Sequence, residues 1–419
     1  MGHANLVAVA LLLAVCAPLP ACSSLLGFEE LQPGEADAGS AAADAGQDAG
    51  QETGPDAGED AQDAIADDGP DAADDGEASV DGGCGDTTSS KDNCGRCGHS
   101  CLGGECAQGM CQPFTLTKID DGAWGLAVDG TTVYVAGLLN NEIVRVAKNT
   151  GAVLSVDTAS DILVPAWVAV GASSMVWSNR SSGTGSVASC PITGCGGNSP
   201  KVLVPVADRP NGVLVDGDTL YWAESYGGTL NSAHLSDGSS PTVLVPSSLG
   251  YQPYRMALHG EYLYFTDVAN GHVVRVPKSG GPAVILGTSS SPAGIAVTDD
   301  TVYWADSQDM TGRILSVPNA DPPDAGAAPT DLAWQQDVAF SVAVDDVNVY
   351  WVASATSTTA AGAVRMCPRS GCPGNGPITL AAQLAYPVDL ALDESAIYVT
   401  IFGLDSGPSD GALLKIAKP

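Results

Sequence analysis

The side chains able to do chemistry in this sequence fall into a few groups. Three acids and an amide close the same short apolar step, in Trp177-Ser-Asn179, Trp222-Ala-Glu224, Phe265-Thr-Asp267 and Trp304-Ala-Asp306. Oxygen ligands repeated in this way suit a hard divalent cation, and a cation so held polarises a carbonyl or activates water. Asn179, Glu224, Asp267 and Asp306 are therefore the candidate ligands of a metal-dependent hydrolase or lyase. The competing role for these four is to bond neighbouring backbone and fix blade against blade. A second group is Trp124, Trp167, Arg209, Tyr254, Arg255 and Asp389, with Asn211. Aromatic and guanidinium side chains dominate binding hot spots, so this group suits the grip of a peptide or sugar. Nucleophilic and histidine-based catalysis find less support. No H-E-x-x-H occurs, and after residue 113 the histidines are His234, His259 and His272 alone.

The cysteines form two patterns. Cys84, Cys94, Cys97, Cys101, Cys106 and Cys111 are crowded together and interleaved with glycine. In an exported chain they read as three disulfides whose connectivity spacing alone leaves open. The rival is a zinc site on Cys94, Cys97, His99 and Cys101, which lacks a second well-separated ligand pair. Further on, Cys190-Pro-Ile-Thr-Gly-Cys195 and Cys367-Pro-Arg-Ser-Gly-Cys372 are each spaced for a disulfide across one hairpin.

Export is written at the N-terminus. The apolar run Leu6 to Pro20 is short for a membrane span and ends in Leu19-Pro20-Ala21-Cys22. This tetrapeptide resembles the lipobox of bacterial lipoproteins. The resemblance implies loss of residues 1–21, a diacylglyceryl group on Cys22, and an outer-membrane or cell-surface location. Residues 22–83 are rich in Asp, Ala and Gly, and residues 29–83 carry 18 of the chain's 49 acids with no Lys or Arg. Such a segment repels itself and has little to bury, so it reads as a disordered tether. A coil of about 60 residues spans roughly 40–45 Å. Acids outnumber bases in the remainder too, within a formal charge of −33, which argues against nucleic acid as a partner.

The elements that must position the candidate residues are repeated. After residue 113 an apolar step ends at Val128, Val170, Val215, Leu258, Val297, Val344 and Leu392, and a second is marked six residues later each time, at Tyr134, Val176, Tyr221, Tyr264, Tyr303, Tyr350 and Tyr398. Turn formers such as Asp129-Gly130 and Asp216-Gly217 lie between, so each unit opens with a strand–turn–strand hairpin. A third strand follows, as in Gly271 to Val276 and Gly312 to Val317, and a short fourth closes most units. Four short strands recurring at roughly 44 residues are the pattern of a β-propeller blade. The seventh unit stops at its third strand, and a spare strand over Phe114 to Ile119 precedes the first. If the spare completes the last blade, the ring closes with seven.

The steps Tyr221-Trp222-Ala-Glu224, Tyr264-Phe265-Thr-Asp267 and Tyr303-Trp304-Ala-Asp306 resemble the YWTD repeat of lipoprotein-receptor propellers and the blades of bacterial NHL-type propellers. The likeness implies an all-β propeller fold. By fold analogy, bacterial propellers also include streptogramin-type lyases and metal-dependent lactonases. The expected organisation is a signal peptide (1–21), a tether (22–83), a disulfide-rich module (84–112) and a seven-bladed propeller (113–419). In a propeller the loops joining second to third strands, and fourth to first, surround one mouth of the channel, and that face is the expected site. The expected function is a monomeric envelope-bound module that binds a protein, peptide or glycan there. The membrane is met through the lipid and no cofactor is called for, a structural calcium ion being the one exception. The alternative is the metal-dependent enzyme.

Overall fold

The computed structural model describes residues 84–119, 122–158, 162–181, 185–308, 311–321, 328–354, 361–374, 376–404 and 411–419. The signal peptide, Cys22 and the tether lie outside the described residues. From Phe114 onward the chain forms seven four-stranded antiparallel sheets, one per repeat. Blade 1 is Ala123–Val128, Thr132–Gly137, Glu142–Ala147 and Val153–Thr158, and blades 2 to 6 open at Pro165, Pro210, Pro253, Pro292 and Val338. Blade 5 has a fourth strand, Thr330–Ala333, that the sequence pattern does not mark. Blade 7 takes three strands from the C-terminal repeat, Pro387–Leu392, Ala396–Ile401 and Ala412–Ala417. Its fourth is Phe114–Lys118, paired with the last strand from Phe114↔Lys415 to Lys118↔Ala412. The spare strand closes the ring.

Neighbouring blades are joined by apolar cores with a simple rule. Successive side chains of a strand point to opposite faces, so the two aromatic residues of one step serve two interfaces. Tyr303 packs with Trp351 of blade 6, while its neighbour Trp304 packs with Tyr264 of blade 4. Both are almost fully buried. At the edge nearest the axis the first strands approach closely. A Cβ on Gly125 would stand 2.4 Å from the carbonyl oxygen of Ala166, and one on Gly294 2.7 Å from the Cα of Ser341. Glycine is required there because the next blade's backbone fills the space.

A recurring polar device ties the opposite face. Asp129, Asp345 and Asp393 each cap the turn after a first strand and accept the hydroxyl of the tyrosine five residues on, Tyr134, Tyr350 and Tyr398. A cation that follows a third strand then reaches the turn of the preceding blade. Lys148 meets Asp393 at 2.6 Å, Lys278 meets Asp216 at 2.5 Å, Lys418 meets Asp345 at 2.9 Å, and Arg369 meets Asp300. The sequence shows each of these residues but not their pairing.

The cysteine-rich module carries three disulfides, Cys84–Cys97, Cys94–Cys106 and Cys101–Cys111, and a hairpin of two-residue strands, Cys106–Ala107 and Met110–Cys111. The sulfurs grouped at Cys94, Cys101 and Cys106 are thus all bonded. Ala417 of the last strand packs into the same small core. The His99 ring lies between two carbonyl oxygens, Cys94 O at 2.5 Å and Lys418 O at 2.7 Å, so it joins the module to the C-terminus. Disulfides Cys190–Cys195 and Cys367–Cys372 staple the outer hairpins of blades 2 and 6.

Candidate functional site

Two rows of first-strand residues meet at the axis. Four positions before the apolar residue that ends each strand stand Trp124 in blade 1, Tyr254 in blade 4 and Phe340 in blade 6. One position later come Trp167, Arg255, Ser341 and Asp389, with glycine in blades 1, 3 and 5. The rings form one cluster. Trp124 lies 6.1 Å from Trp167, 5.9 Å from Phe340 and 5.6 Å from Phe402 between centroids, and Trp167 lies 6.3 Å from Tyr254. Arg255 stacks 3.6 Å from the Trp167 ring and crosses to blade 7, where it meets Asp389 at 2.5 Å. Asp389 also accepts the Ser341 hydroxyl at 2.7 Å and the backbone N–H of Leu126 at 3.1 Å. One carboxylate therefore links blades 1, 4, 6 and 7.

This arrangement differs from the loop rim that the sequence suggests. Trp124, Trp167, Tyr254, Arg255 and Asp389 lie within strands, and only Arg209 is in a loop. Trp124, Trp167, Tyr254, Arg209 and Asp389 are at most 4% exposed, so the cluster plugs the axis rather than lining an open mouth. The physical reason is scale. First strands converge at the axis, and a large side chain there fills the narrow space between blades. Burial raises the pKa of the Tyr254 hydroxyl, against the pull of Arg180 and Arg255.

The four oxygen-ligand candidates do not converge. Asp267 accepts the backbone N–H of Gln252 at 2.8 Å and the Asn270 amide at 2.8 Å, with His272 3.3 Å away. Asp306 accepts the N–H of Ser291 at 2.7 Å and pairs with Arg313 at 2.9 Å. Glu224 accepts the indole N–H of Trp222 and the N–H of Asp208, and Asn179 accepts those of Trp177 and Leu163. Each one holds the loop that enters its own blade. Among the described residues, the one group of three His, Cys, Asp or Glu ligand atoms close enough to share an ion consists of the disulfide sulfurs. His259 pairs with Asp299 and His234 stands 3.8 Å from Asp218, both on the opposite face.

The exposed surface of the expected face has its own chemistry. Trp334, between blades 5 and 6, is 65% exposed, and Tyr226, in the loop between the second and third strands of blade 3, is 40% exposed. Leu163 and Leu249 join them from two further entry loops. The Arg209 guanidinium lies 4.4 Å from the Tyr226 ring, which supports that ring from behind. The residue just before the first strand has left-handed backbone in four blades, at Val164 (φ 53), Arg209 (φ 56), Asp337 (φ 55) and Tyr386 (φ 60). Side chains rarely tolerate this conformation, least of all β-branched valine, and strain of this kind concentrates at functional surfaces. Trp334 and Tyr226 escaped the sequence reading because they fall outside the repeat, whereas the register that gives Trp124 and Tyr254 also contains Phe340.

The fold is that of the seven-bladed β-propellers. No family model and no curated protein matches the sequence. Among solved structures the chain is similar to virginiamycin B lyase from Staphylococcus aureus, with TM-score 0.57 and 14% identity over 74% of this chain and 99% of that one. It is similar to the same degree to U3-55K, with TM-score 0.57 and 13% identity over 73% of this chain and 98% of that one. A streptogramin B lyase gives 0.55 at 12% identity, over 73% and 97%. At such identities the likeness is one of fold.

Proposed function

We propose that the chain is a cell-envelope binding module. In this reading residues 1–21 are removed, Cys22 carries the lipid, and residues 22–83 hold the propeller off the membrane. The face built from the loops entering the first strands, and from those between second and third strands, engages a protein, peptide or glycan. The observation that carries the reading is the placement of exposed aromatics. Trp334 and Tyr226 both stand on this one face, over an axis already plugged by its own side chains. An exposed aromatic anchor on a rigid scaffold supplies large contact area at small entropic cost. The backing of Tyr226 by Arg209 and the strained entry loops fix that surface in place before any partner arrives.

The test compares the wild-type chain with Trp334→Ala, Tyr226→Ala and the double variant, each on a glycan array and in pull-downs from envelope fractions. The wild type should retain a defined species and the double variant should lose it. Their melting temperatures should agree within about 2 °C, since surface substitutions change stability little. Retention of the same species by the double variant would overturn the reading. Lipid attachment is tested separately, as Cys22→Ala should move the protein from the membrane to the soluble fraction.

A further inference from the structure

A cleft of about 340 Å³ opens between the disulfide-rich module and the rim of the propeller. That volume falls within the range of ligand sites in folded proteins. One wall is the run from Gly109 to Gln112 and the other the run from Ile378 to Ala382, with Ala417 and Pro419 beside them. Lys418 donates its backbone N–H to Ser395 in the first turn of blade 7, so the cleft lies toward the face opposite the aromatic anchors. It is a different site from the one proposed above.

Successive residues of a strand point to opposite faces, so unbroken runs of lining residues mean that each strand turns its edge to the cleft. Neither edge is paired with another strand. Ile378–Leu384 is the outermost strand of blade 6, and Met110–Cys111 closes the hairpin of the module. In that hairpin Gln112 donates its N–H to Glu105 at 2.7 Å, and bonded pairs alternate with open ones along an antiparallel ladder. The next pair, Cys106 and Cys111, is therefore open, and the N–H and C=O of Cys111 turn outward. Strand edges are commonly blunted by Lys or Pro, and Ile378–Leu384 contains neither.

The lining is also uncharged. No Lys, Arg, Asp or Glu contributes to it, in a body where acids outnumber bases. The His99 ring already has its two nitrogens at the carbonyl oxygens of Cys94 and Lys418, and Cys111 is bonded to Cys101. Met110 and Ile378 stand on opposite walls, 47% and 38% exposed. A charged occupant would lose its water here and find no counter-charge. A small apolar molecule would leave the edge N–H and C=O groups unmet, whereas an extended backbone supplies both partners at the strand repeat.

We propose that this cleft takes an extended, uncharged peptide segment of a partner protein, added as a strand between the module and blade 6. Its backbone pairs with the two edges, and its aliphatic side chains meet Met110, Ile378 and Leu380. The contact of His99 with the Lys418 carbonyl fixes the module wall in place before the segment arrives.

The experiment titrates the full chain with a fluorescent peptide, Thr-Val-Thr-Val-Thr blocked at both ends, and reads its anisotropy. The peptide should bind saturably. The same peptide N-methylated at its three central residues keeps the side chains but loses edge donors, and should bind about tenfold more weakly. Counterparts with Glu or with Lys in place of Thr should each weaken about tenfold as well. Met110→Asp and Ile378→Asp put a charge at an exposed position on each wall. Each should weaken the neutral peptide about tenfold, with the melting temperature within about 2 °C of the wild type. A flat titration by the wild type overturns the proposal, as does equal binding of the N-methylated or charged peptides. A dimeric wild type that becomes monomeric in Ile378→Asp overturns it in favour of a second copy. Peptide binding seen only when Leu26→Asp and Phe28→Asp are introduced together overturns it in favour of the chain's own N-terminal segment.

Discussion

At Asp393 several donors converge on one carboxylate. Burial pushes its pKa up, but Lys148, the backbone N–H groups of Ser395 and Ala396 and the Tyr398 hydroxyl outweigh that and hold it at about 2, against an ordinary 3.8. The same burial, with the nearby negative charge, pushes the Tyr398 hydroxyl well above the phenol range. A carboxyl that titrates lower in the folded chain than in the open one stabilises the fold fully above its open-chain value. That contribution is lost as pH falls through the folded value. The wild-type melting temperature should therefore fall between about pH 4 and pH 2, and Asp393→Asn should show a shallower fall over the same window. Scanning calorimetry across that range checks it, and parallel curves for the two proteins would remove Asp393 from the account. Asp129 and Asp345, held low by the same kinds of bond, should add to the slope that remains.

Among the elements, the first strands carry the tightest tolerance. Gly294 lies against the backbone of blade 6, with Ser341 Cα at 2.7 Å and Val342 N at 2.8 Å from the place a Cβ would take. Overpacking a fixed backbone contact costs about 1–3 kcal/mol, so Gly294→Ala should destabilise the propeller by that amount. Gly130 faces open space in a turn on the other face, and Gly130→Ala should stay within about 0.5 kcal/mol. Urea unfolding of the two variants decides between a packing cause and general glycine loss. The strands themselves were legible in the sequence, because the step from Val128 to Tyr134 recurs at an identical offset in every unit. The candidate site was legible only in part. Trp124, Tyr254 and Arg255 could be picked out by type, but their burial follows from convergence at the axis, which no single repeat displays. The pairing of Arg255 with Asp389 joins residues 134 apart, and that of Lys148 with Asp393 joins the first blade to the last. Local pattern carries no information about partners at that separation.

For the molecule as a whole, ring closure falls to one five-residue strand. Phe114–Lys118 covers the outer edge of blade 7, and without it the Ala412–Ala417 strand is left as an open edge. A chain beginning at Gly122 should melt at least about 5 °C lower than one beginning at Pro113, as read by circular dichroism. Equal melting would show that blade 7 holds as three strands. The closure was anticipated from the count of strands, since the seventh repeat lacks a fourth and the first is preceded by one too many.

The His99 contact adds a mechanical side to this closure. The module ahead of Phe114 is continuous with the closing strand and also grips the carbonyl of Lys418, one residue past the strand it closes against. Tension arriving at Cys84 is therefore shared between the first and last strands of the ring, through a clamp made inextensible by three disulfides. A pull that would otherwise peel the closing strand from its neighbour instead draws on both together. A propeller fastened in this way can carry load at its N-terminus without opening at its seam.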